Sequence, residues 1–172
     1  MEKDKYLEYL IEEYSDMVYR LAMSRTRKKE ASEDVYQEVF LRIAKKLPEF
    51  ENKEHEKAWL IRVTINCSKN ILMDKFTKHT AGEELCTCQS ECNSSLQNEM
   101  LPDKSDEKND LYYAVLDLPL KYRTVIHLFY YEGYKIEEIS RMLKIKESTI
   151  KSQLLRAREM LKVKVKGGIE DG

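Results

Sequence analysis

Apolar residues recur at helical spacing along most of the chain, and the places where the recurrence stops divide it. Tyr6, Leu7, Leu10, Ile11, Tyr14, Val18, Leu21 and Ala22 form one stripe and predict a helix over about 5–23. Val35, Val39 and Ile43, with Phe40 and Leu47 at the margin, predict a second over 32–47. Ser32 supplies a hydroxyl N-cap there, and Glu33 and Asp34 suit the positive end of the helix dipole. The segment 48–55, PEFENKEH, is polar and helix-breaking and reads as a loop. Leu60, Val63, Cys67 and Ile71 restart the stripe in a third helix over 56–76. A fourth group places Leu111, Val115, Leu118, Val125, Leu128 and Phe129 in a common core; Asp117-Leu118-Pro119 ends one helix of it and Leu120 begins the next. Ile136, Ile139 and Leu143 then make a short amphipathic helix, Lys144 to Glu147 breaks the pattern, and Ile150, Leu154, Ala157 and Leu161 anchor a last one.

The stretch 79–110 lacks such a stripe. Between Ala81 and Asp110 stand eight anions and two cations, with too little apolar material to offset the entropy of ordering, so it reads as an acidic flexible linker. The predicted organisation is a body over 1–78, the linker over 79–110, a second body over 111–166 and a tail over 167–172 that frays at Gly167-Gly168. A flexible linker of about 30 residues has an r.m.s. span near 30 Å and extends to about 100 Å. With only five Gly and three Pro among 172 residues, and abundant Leu, Ile, Glu, Lys and Arg, the predicted class is all-α: two small helical bundles, the C-terminal one containing a helix-turn-helix. The charged start MEKDKYLEYLIEEY has no signal-peptide core, and no apolar run approaches a membrane span. The expected place is the cytoplasm, where thiols stay reduced.

Charge is unevenly spread. The formal total is -1, yet twelve cations and five anions lie between Lys121 and Lys166, a surplus of seven. Such a basic end is the footprint of a phosphate-binding module. The last helix turns Lys151, Ser152, Leu155, Arg156 and Glu159 away from its anchor, with Thr149 and Arg158 at the flanks. Lys and Arg neutralise phosphate or grip guanine, and Ser and Thr serve backbone or base edge, so a helix-turn-helix that reads DNA is expected. A solvated helical hairpin is the plain alternative. On the third helix Arg62, Asn66, Lys69, Asn70 and Lys75 lie off the apolar stripe, and Asn is the bidentate partner of adenine. Phe50, Asn52 and His55 in the preceding loop can stack on or bond an unstacked base, although Phe50 also suits the core. Trp59 fits a core more readily than a nucleotide platform. The run Arg25, Arg27, Lys28, Lys29 reads as a solvated helix end or, failing that, a phosphate contact. His127, in an apolar helix, reads as a bonded core or half-exposed histidine. Cys86, Cys88 and Cys92 match no standard zinc spacing, Cys67 reads as core, and no metal or cofactor is expected. Catalysis is not expected either: acids are scattered over helix faces, with no nucleophile–base spacing and no Gly-rich phosphate loop.

Three segments resemble one family in the right order: Asp34-Val35-Tyr36-Gln37-Glu38-Val39-Phe40-Leu41-Arg42; Lys57-Ala58-Trp59-Leu60-Ile61-Arg62 with Asn66; and Leu118-Pro119, Arg123, Tyr131-Glu132-Gly133, Glu138-Ile139, Ser148-Thr149-Ile150-Lys151-Ser152, Leu154, Arg156-Ala157-Arg158 and Leu161. The chain resembles sigma-70-family transcription factors of the extracytoplasmic-function (ECF) group. The resemblance implies a subunit of bacterial RNA polymerase that docks on the largest-subunit clamp helices through Gln37, Glu38 and Leu41, supported by Asp34 and Phe40, and on the flap. It implies a −10 element met by Phe50, Asn52, Arg62, Asn66, Lys69 and Asn70, and a −35 element met by Thr149, Lys151, Ser152, Leu155, Arg156 and Arg158. The linker would bridge the two elements, which lie roughly 55 Å apart when about 17 steps of ~3.4 Å separate them. The further partners implied are promoter DNA and an anti-sigma factor, without membrane insertion of the chain itself.

The chain departs from the family where Lys135 and Lys146 stand in place of capping serines, where Lys144 replaces the turn glycine, and where Glu56 and Ile65 stand in place of Phe and Arg. Fraying of up to ~1 kcal/mol per cap is expected, with Ser148 capping the last helix one turn late. The rival reading is a stand-alone helix-turn-helix regulator, which needs no polymerase and leaves the DVYQEVFLR and AWLIR segments unexplained.

Overall fold

A computed structural model describes the backbone of residues 2–79 and 107–170 and the side chains of residues 2–74 and 111–164. The chain divides into two compact units, Met1–Cys88 and Gln89–Gly172. Every regular element among the described residues is helical. Residues 80–106 of the acidic stretch, with Cys86, Cys88 and Cys92, lie outside them, as does the Lys75 side chain; residues 107–110, expected in the linker, instead form the first turn of a helix over Glu107–Leu116.

The first unit packs three helices pairwise: α1 (Glu2–Thr26), α2 (Lys29–Lys45) and α3 (Lys53–His79). Leu10, Val18, Val35, Val39, Ile43 and Leu60 are fully buried between them. Val63 and Ile71 pack against this core and Cys67 lies in it, so the expected stripe of α3 holds; Ile61, Thr64 and Ser68 are buried beside it. Both connections differ from expectation: α3 begins at Lys53, inside the expected 48–55 loop, and α2 begins before its expected cap. α2 begins three residues before Ser32, because Lys29-Glu30-Ala31 are good helix formers and Ala31 is buried. Ser32 is therefore not the N-cap. Its hydroxyl donates to the Lys28 carbonyl at 2.7 Å and lies 2.7 Å from the Thr26 hydroxyl, tying the end of α1 to the first turn of α2.

The basic run is not simply solvated. Arg25 and Arg27 are each only 8% exposed, while Lys28 and Lys29 face solvent. Arg27 ends α1 in the left-handed region at φ 60, its N–H donating to the Met23 carbonyl at 2.9 Å. Arg25 Nε donates to the Ser68 hydroxyl of α3 at 2.5 Å. Burial lowers its pKa to about 10, so the side chain stays protonated at neutral pH and is held inside by hydrogen bonding.

The second unit contains α4 (Glu107–Leu116), α5 (Leu120–Ile126), a π-helical turn (His127–Tyr131), α6 (Ile136–Leu143) and α7 (Glu147–Glu170). α4, α5 and α6 all pack on α7. Val115, Leu118, Val125, Leu128, Ile139, Ile150, Leu154 and Ala157 form its interior. Leu111, expected in this core, is 45% exposed; Ala114 and Leu116 fill the inner side of α4 instead. The backbone of α7 runs through Gly167-Gly168 to Glu170, past the expected frayed end. In the π-turn the Glu132 N–H reaches back five residues to the His127 carbonyl, at 3.1 Å. Gly133 follows at φ 72, a conformation that favours glycine. His127 is buried, stacked on Tyr131, with Nε2 3.3 Å from Glu132 Oε1.

Candidate nucleic-acid interface

On α2 the residues assigned to polymerase fall on an outer face. Asp34 and Gln37 are exposed, and Leu41 is 53% exposed. Glu38 is half-buried and accepts from Arg42 Nε one turn on, at 2.8 Å. Phe40 points the other way: it is 8% exposed and packs on Tyr36 with ring centroids 4.8 Å apart. It can hold the face up from beneath without presenting itself.

Arg62, Asn66, Lys69 and Asn70 are all exposed, at the i, i+4, i+7 and i+8 positions of one face of α3. The loop before them is more committed than its composition suggests. Asn52 caps α3, its side-chain oxygen accepting from the His55 N–H at 2.8 Å and its carbonyl from the Glu56 N–H at 3.0 Å. Phe50 is half-buried, edge-on to Trp59 at 5.5 Å and to His55 at 5.7 Å. Trp59 is half-buried against the core. These three rings make a supported aromatic corner, and the Asn52 amide NH2 remains the group free to meet a ligand.

Glu56, where the family more often has Phe, is 4% exposed. It lies in the first turns of α3, where the helix dipole favours a carboxylate, and accepts from the Tyr6 hydroxyl of α1 at 2.5 Å. Burial and this partner push the Tyr6 phenol up to about 12, and Tyr14, facing the same carboxylate, is raised as well.

In the second unit α6 and α7 form the expected helix-turn-helix. The lysine at the head of α6 cannot accept a hydrogen bond, but its own N–H donates to Glu138 Oε2 at 2.9 Å, so half of a capping box survives. α7 begins at Glu147, directly after Lys146; Ser148 is inside the first turn and not its cap, its carbonyl accepting from Ser152 at 3.0 Å. The helix starts early because the Lys146 carbonyl already accepts from the Ile150 N–H at 3.1 Å. Lys144 turns the corner in the left-handed region, at φ 57 and ψ 43. Thr149, Lys151, Ser152, Leu155 and Arg156 are exposed along α7, with Leu155 57% exposed. Arg158 is exposed too, but occupied: Nε donates to the Tyr130 hydroxyl at 2.6 Å, and the guanidinium lies 5.7 Å from the Phe129 ring and 5.6 Å from Tyr130.

A cleft of about 270 Å3 opens on the opposite flank of α7, lined by Lys121 and Tyr122 of α5 and by Ser148, Thr149, Ser152, Gln153 and Arg156. Two cations, four hydroxyls and an amide line it without a carboxylate, which suits an anionic polymer. Lys121 and Tyr122 escape a periodicity argument because they belong to another helix; Lys121 is legible only as the first cation of the basic end, and Tyr122 only by adjacency to the Leu118-Pro119 break.

Two family models match: sigma-70 region 2 over residues 10–75 and sigma-70 region 4 over residues 108–161. The chain is 29% identical over 160 residues to the ECF RNA polymerase sigma factor SigM of Bacillus subtilis, covering 92% of this chain and 94% of that protein. It is 28% identical over 162 residues to SigW of the same organism, covering 89% and 85%. Among solved structures it is similar to the sigma factor RpoE in complex with the anti-sigma factor NepR from Bartonella quintana, with a TM-score of 0.71 at 21% identity over 94% of this chain and 98% of that one. It is also similar to CnrH in complex with the cytosolic domain of CnrY, with a TM-score of 0.62 at 16% identity over 95% and 90%.

Proposed function

Since the chain belongs to the sigma-70 family of RNA polymerase sigma factors, in its extracytoplasmic-function group, we propose that its first unit joins core polymerase and opens the −10 element while its second reads the −35 element. The observation that carries this is that each unit presents one long helix with a DNA-compatible exposed face: Arg62, Asn66, Lys69 and Asn70 on α3, and Thr149 through Arg156 on α7. The outer face of α2, with Gln37, Glu38 and Leu41, is the docking face for the largest-subunit clamp helices, and the second unit rests on the flap. Each contact set is small and salt-sensitive. Polymerase makes them additive by fixing the separation of the two units, and the acidic stretch between them acts as the tether. At the −10 element the aromatic corner of Phe50, His55 and Trp59, with the Asn52 amide, takes an unstacked base of the opened strand. Arg158 enters the −35 surface only from the flank, because Tyr130 already holds it.

The chain works in the cytoplasm, as a binding subunit and not as an enzyme in its own right. No helix among the described residues is long and apolar enough to cross a membrane. The two solved neighbours were captured with protein partners, one of them named an anti-sigma factor, and this chain is held in the same manner by an anti-sigma factor that covers its polymerase-facing surfaces. The stand-alone regulator is disfavoured, because both the α2 face and the region 2 match would then lack a purpose. Run-off transcription with core polymerase on a genomic library tests the proposal. Initiation at a discrete set of sites that share two spaced elements is expected; failure to join core enzyme, or joining without initiation at any site, refutes it.

A further inference from the structure

Glu56 is a carboxylate where a small helical bundle would ordinarily bury an apolar side chain. It is 4% exposed, in the first turns of α3, and the Tyr6 hydroxyl of α1 donates to its Oε2 at 2.5 Å. The tie is not alone. The Tyr6 ring stacks on Tyr9 with centroids 5.8 Å apart, and the ammonium of Lys53, the first residue of α3, lies over the Tyr9 ring, 5.7 Å from its centroid. Tyr14, 7% exposed, faces the same carboxylate. The tyrosines of α1 thus meet the start of α3 through directional contacts as well as through packing.

From Glu56 an unbroken series of contacts leads to the aromatic corner. Its N–H donates to the Asn52 carbonyl at 3.0 Å, and the Asn52 side chain accepts from the His55 N–H at 2.8 Å. His55 Nδ1 accepts from the Glu51 N–H at 3.4 Å; the His55 ring meets Phe50, and Phe50 meets Trp59. His55 and Trp59 stand one residue before Glu56 and three after it, so at about 100° per residue both lie on one flank of it. A roll of this turn about the Tyr6 contact would carry both rings the same way. We propose that Glu56 is a positioning residue for strand capture: held by Tyr6, its carboxylate sets the rotation of the start of α3, and with it the place of Phe50, His55, Trp59 and the Asn52 amide. The inference rests on the reading of that corner as the holder of an unstacked base. If Glu56 only filled space, a leucine there would serve as well, and would spare the cost of burying a charged group. Leucine cannot fix a rotation, because apolar contacts have no preferred direction.

The test uses holoenzyme reconstituted from the full chain and core polymerase. The probe is a single strand carrying the −10 element of a promoter found by run-off transcription, set against versions with an abasic site at each position in turn. With the unmutated chain, one abasic site is expected to cost about 10- to 100-fold in affinity, the share of a stacked base, and Phe50→Ala should abolish most of that penalty. Glu56→Leu is expected to reduce the same penalty by about threefold or more, and Tyr6→Phe by about twofold or more; Glu56→Gln, which still accepts from Tyr6, should keep it. Binding of a −35 duplex should be unchanged in all of these, and Trp59 fluorescence during denaturation selects conditions in which each is folded. A penalty that survives in full in Glu56→Leu or in Tyr6→Phe, while Phe50→Ala removes it, overturns the positioning role and leaves the corner standing. A loss as large in Glu56→Gln as in Glu56→Leu overturns it too. No abasic penalty at any position, or one that Phe50→Ala leaves intact, sinks the reading of the corner itself. Should Glu56→Leu not fold, Tyr6→Phe decides alone, since it keeps the ring and loses only the hydroxyl.

Discussion

The corner between α6 and α7 contains a residue whose side chain does not suit its backbone. Lys144 sits at φ 57 and ψ 43, where a Cβ crowds the following carbonyl at a cost of about 1–2 kcal/mol. The conformation is imposed by what surrounds it: the Lys144 and Ile145 N–H groups both reach the Ser140 carbonyl, and the Ser140 hydroxyl donates to the Ile145 carbonyl at 2.5 Å. Lys144→Gly removes the crowding but adds backbone freedom to the unfolded chain worth about 0.5–1 kcal/mol. The net expectation is a gain of about 0.5–1 kcal/mol in the second unit, or roughly 3–6 °C for a body of this size. Lys144→Ala is the decisive control, because alanine keeps the Cβ; as the lysine side chain is exposed, alanine should leave stability within about 0.5 kcal/mol. The single tryptophan, Trp59, belongs to the first unit, so its fluorescence reports that unit alone while far-UV circular dichroism reports both. Denaturant titration followed by the two signals should show the gain in the dichroism and not in the fluorescence. A glycine variant no more stable than the alanine one refutes the backbone argument, since the effect would then lie in the lost charge.

Tyr6→Phe removes one of the two phenols that face the buried Glu56 carboxylate and is expected to destabilise the first unit by about 1–3 kcal/mol, read from Trp59 fluorescence during denaturation. Tyr6 and Tyr14 both titrate higher folded than unfolded, so the stability they contribute is present below their ordinary pKa near 10 and is lost as pH rises from there toward about 12; Tyr6→Phe should shrink that alkaline loss, and an unchanged alkaline profile would contradict the assignment. Gln37→Ala combined with Leu41→Ala should weaken association with core polymerase at least tenfold in a fluorescence titration while leaving the unfolding curve in place, both side chains being exposed. Arg158→Ala should cost the second unit about 0.5–1 kcal/mol through the lost Tyr130 and ring contacts, and should reduce upstream discrimination less than Arg156→Ala does.

Periodicity located the helices because burial of one face is what it records. The stripes of α1 and α3, the Leu118-Pro119 break and the Ile139, Ile150, Leu154, Ala157 seam all follow from it. It failed where the outcome depends on how helices cross. Arg25 and Arg27 carry the composition of a wet helix end, yet the approach of α3 encloses them and supplies Ser68 as a partner. Ser32 has the chemistry of a cap, but Thr26 and the Lys28 carbonyl claim its hydroxyl once α2 starts a turn earlier. Leu111 lies in register with Val115 and Leu118, but the core beneath α4 is already filled by Ala114 and Leu116. Among site residues, the exposed faces of α3 and α7 were legible from the sequence, since each is the complement of an apolar stripe. The roles of Asn52 as a cap and of Tyr130 as the holder of Arg158 were not, because both depend on partners brought together only by folding.

The two helices proposed to read DNA share a mode of support that bears on how weak contacts can be selective. α3 is fixed near its start by Glu56 to Tyr6 of α1, and farther along by Ser68 to Arg25 of the same helix. Between those anchors lie Arg62 and Asn66, exposed, with Lys69 and Asn70 just beyond. α7 is held on one flank by Tyr130, whose hydroxyl accepts from Arg158 Nε at 2.6 Å, with Thr149, Ser152 and Leu155 exposed along its outer face. In both units the polar anchors fix the helix against rolling, which an apolar stripe alone resists poorly because dispersion contacts are non-directional. A roll of ~20° would carry a side-chain tip several ångströms from the helix axis through ~3 Å, enough to miss a base edge at hydrogen-bonding distance. In the proposed function, rigidity of the helix supplies selectivity, while affinity comes from adding two such helices through polymerase. Loosening an anchor should therefore relax discrimination before it weakens promoter binding, whereas removing a phosphate-contacting cation such as Lys151 should do the opposite.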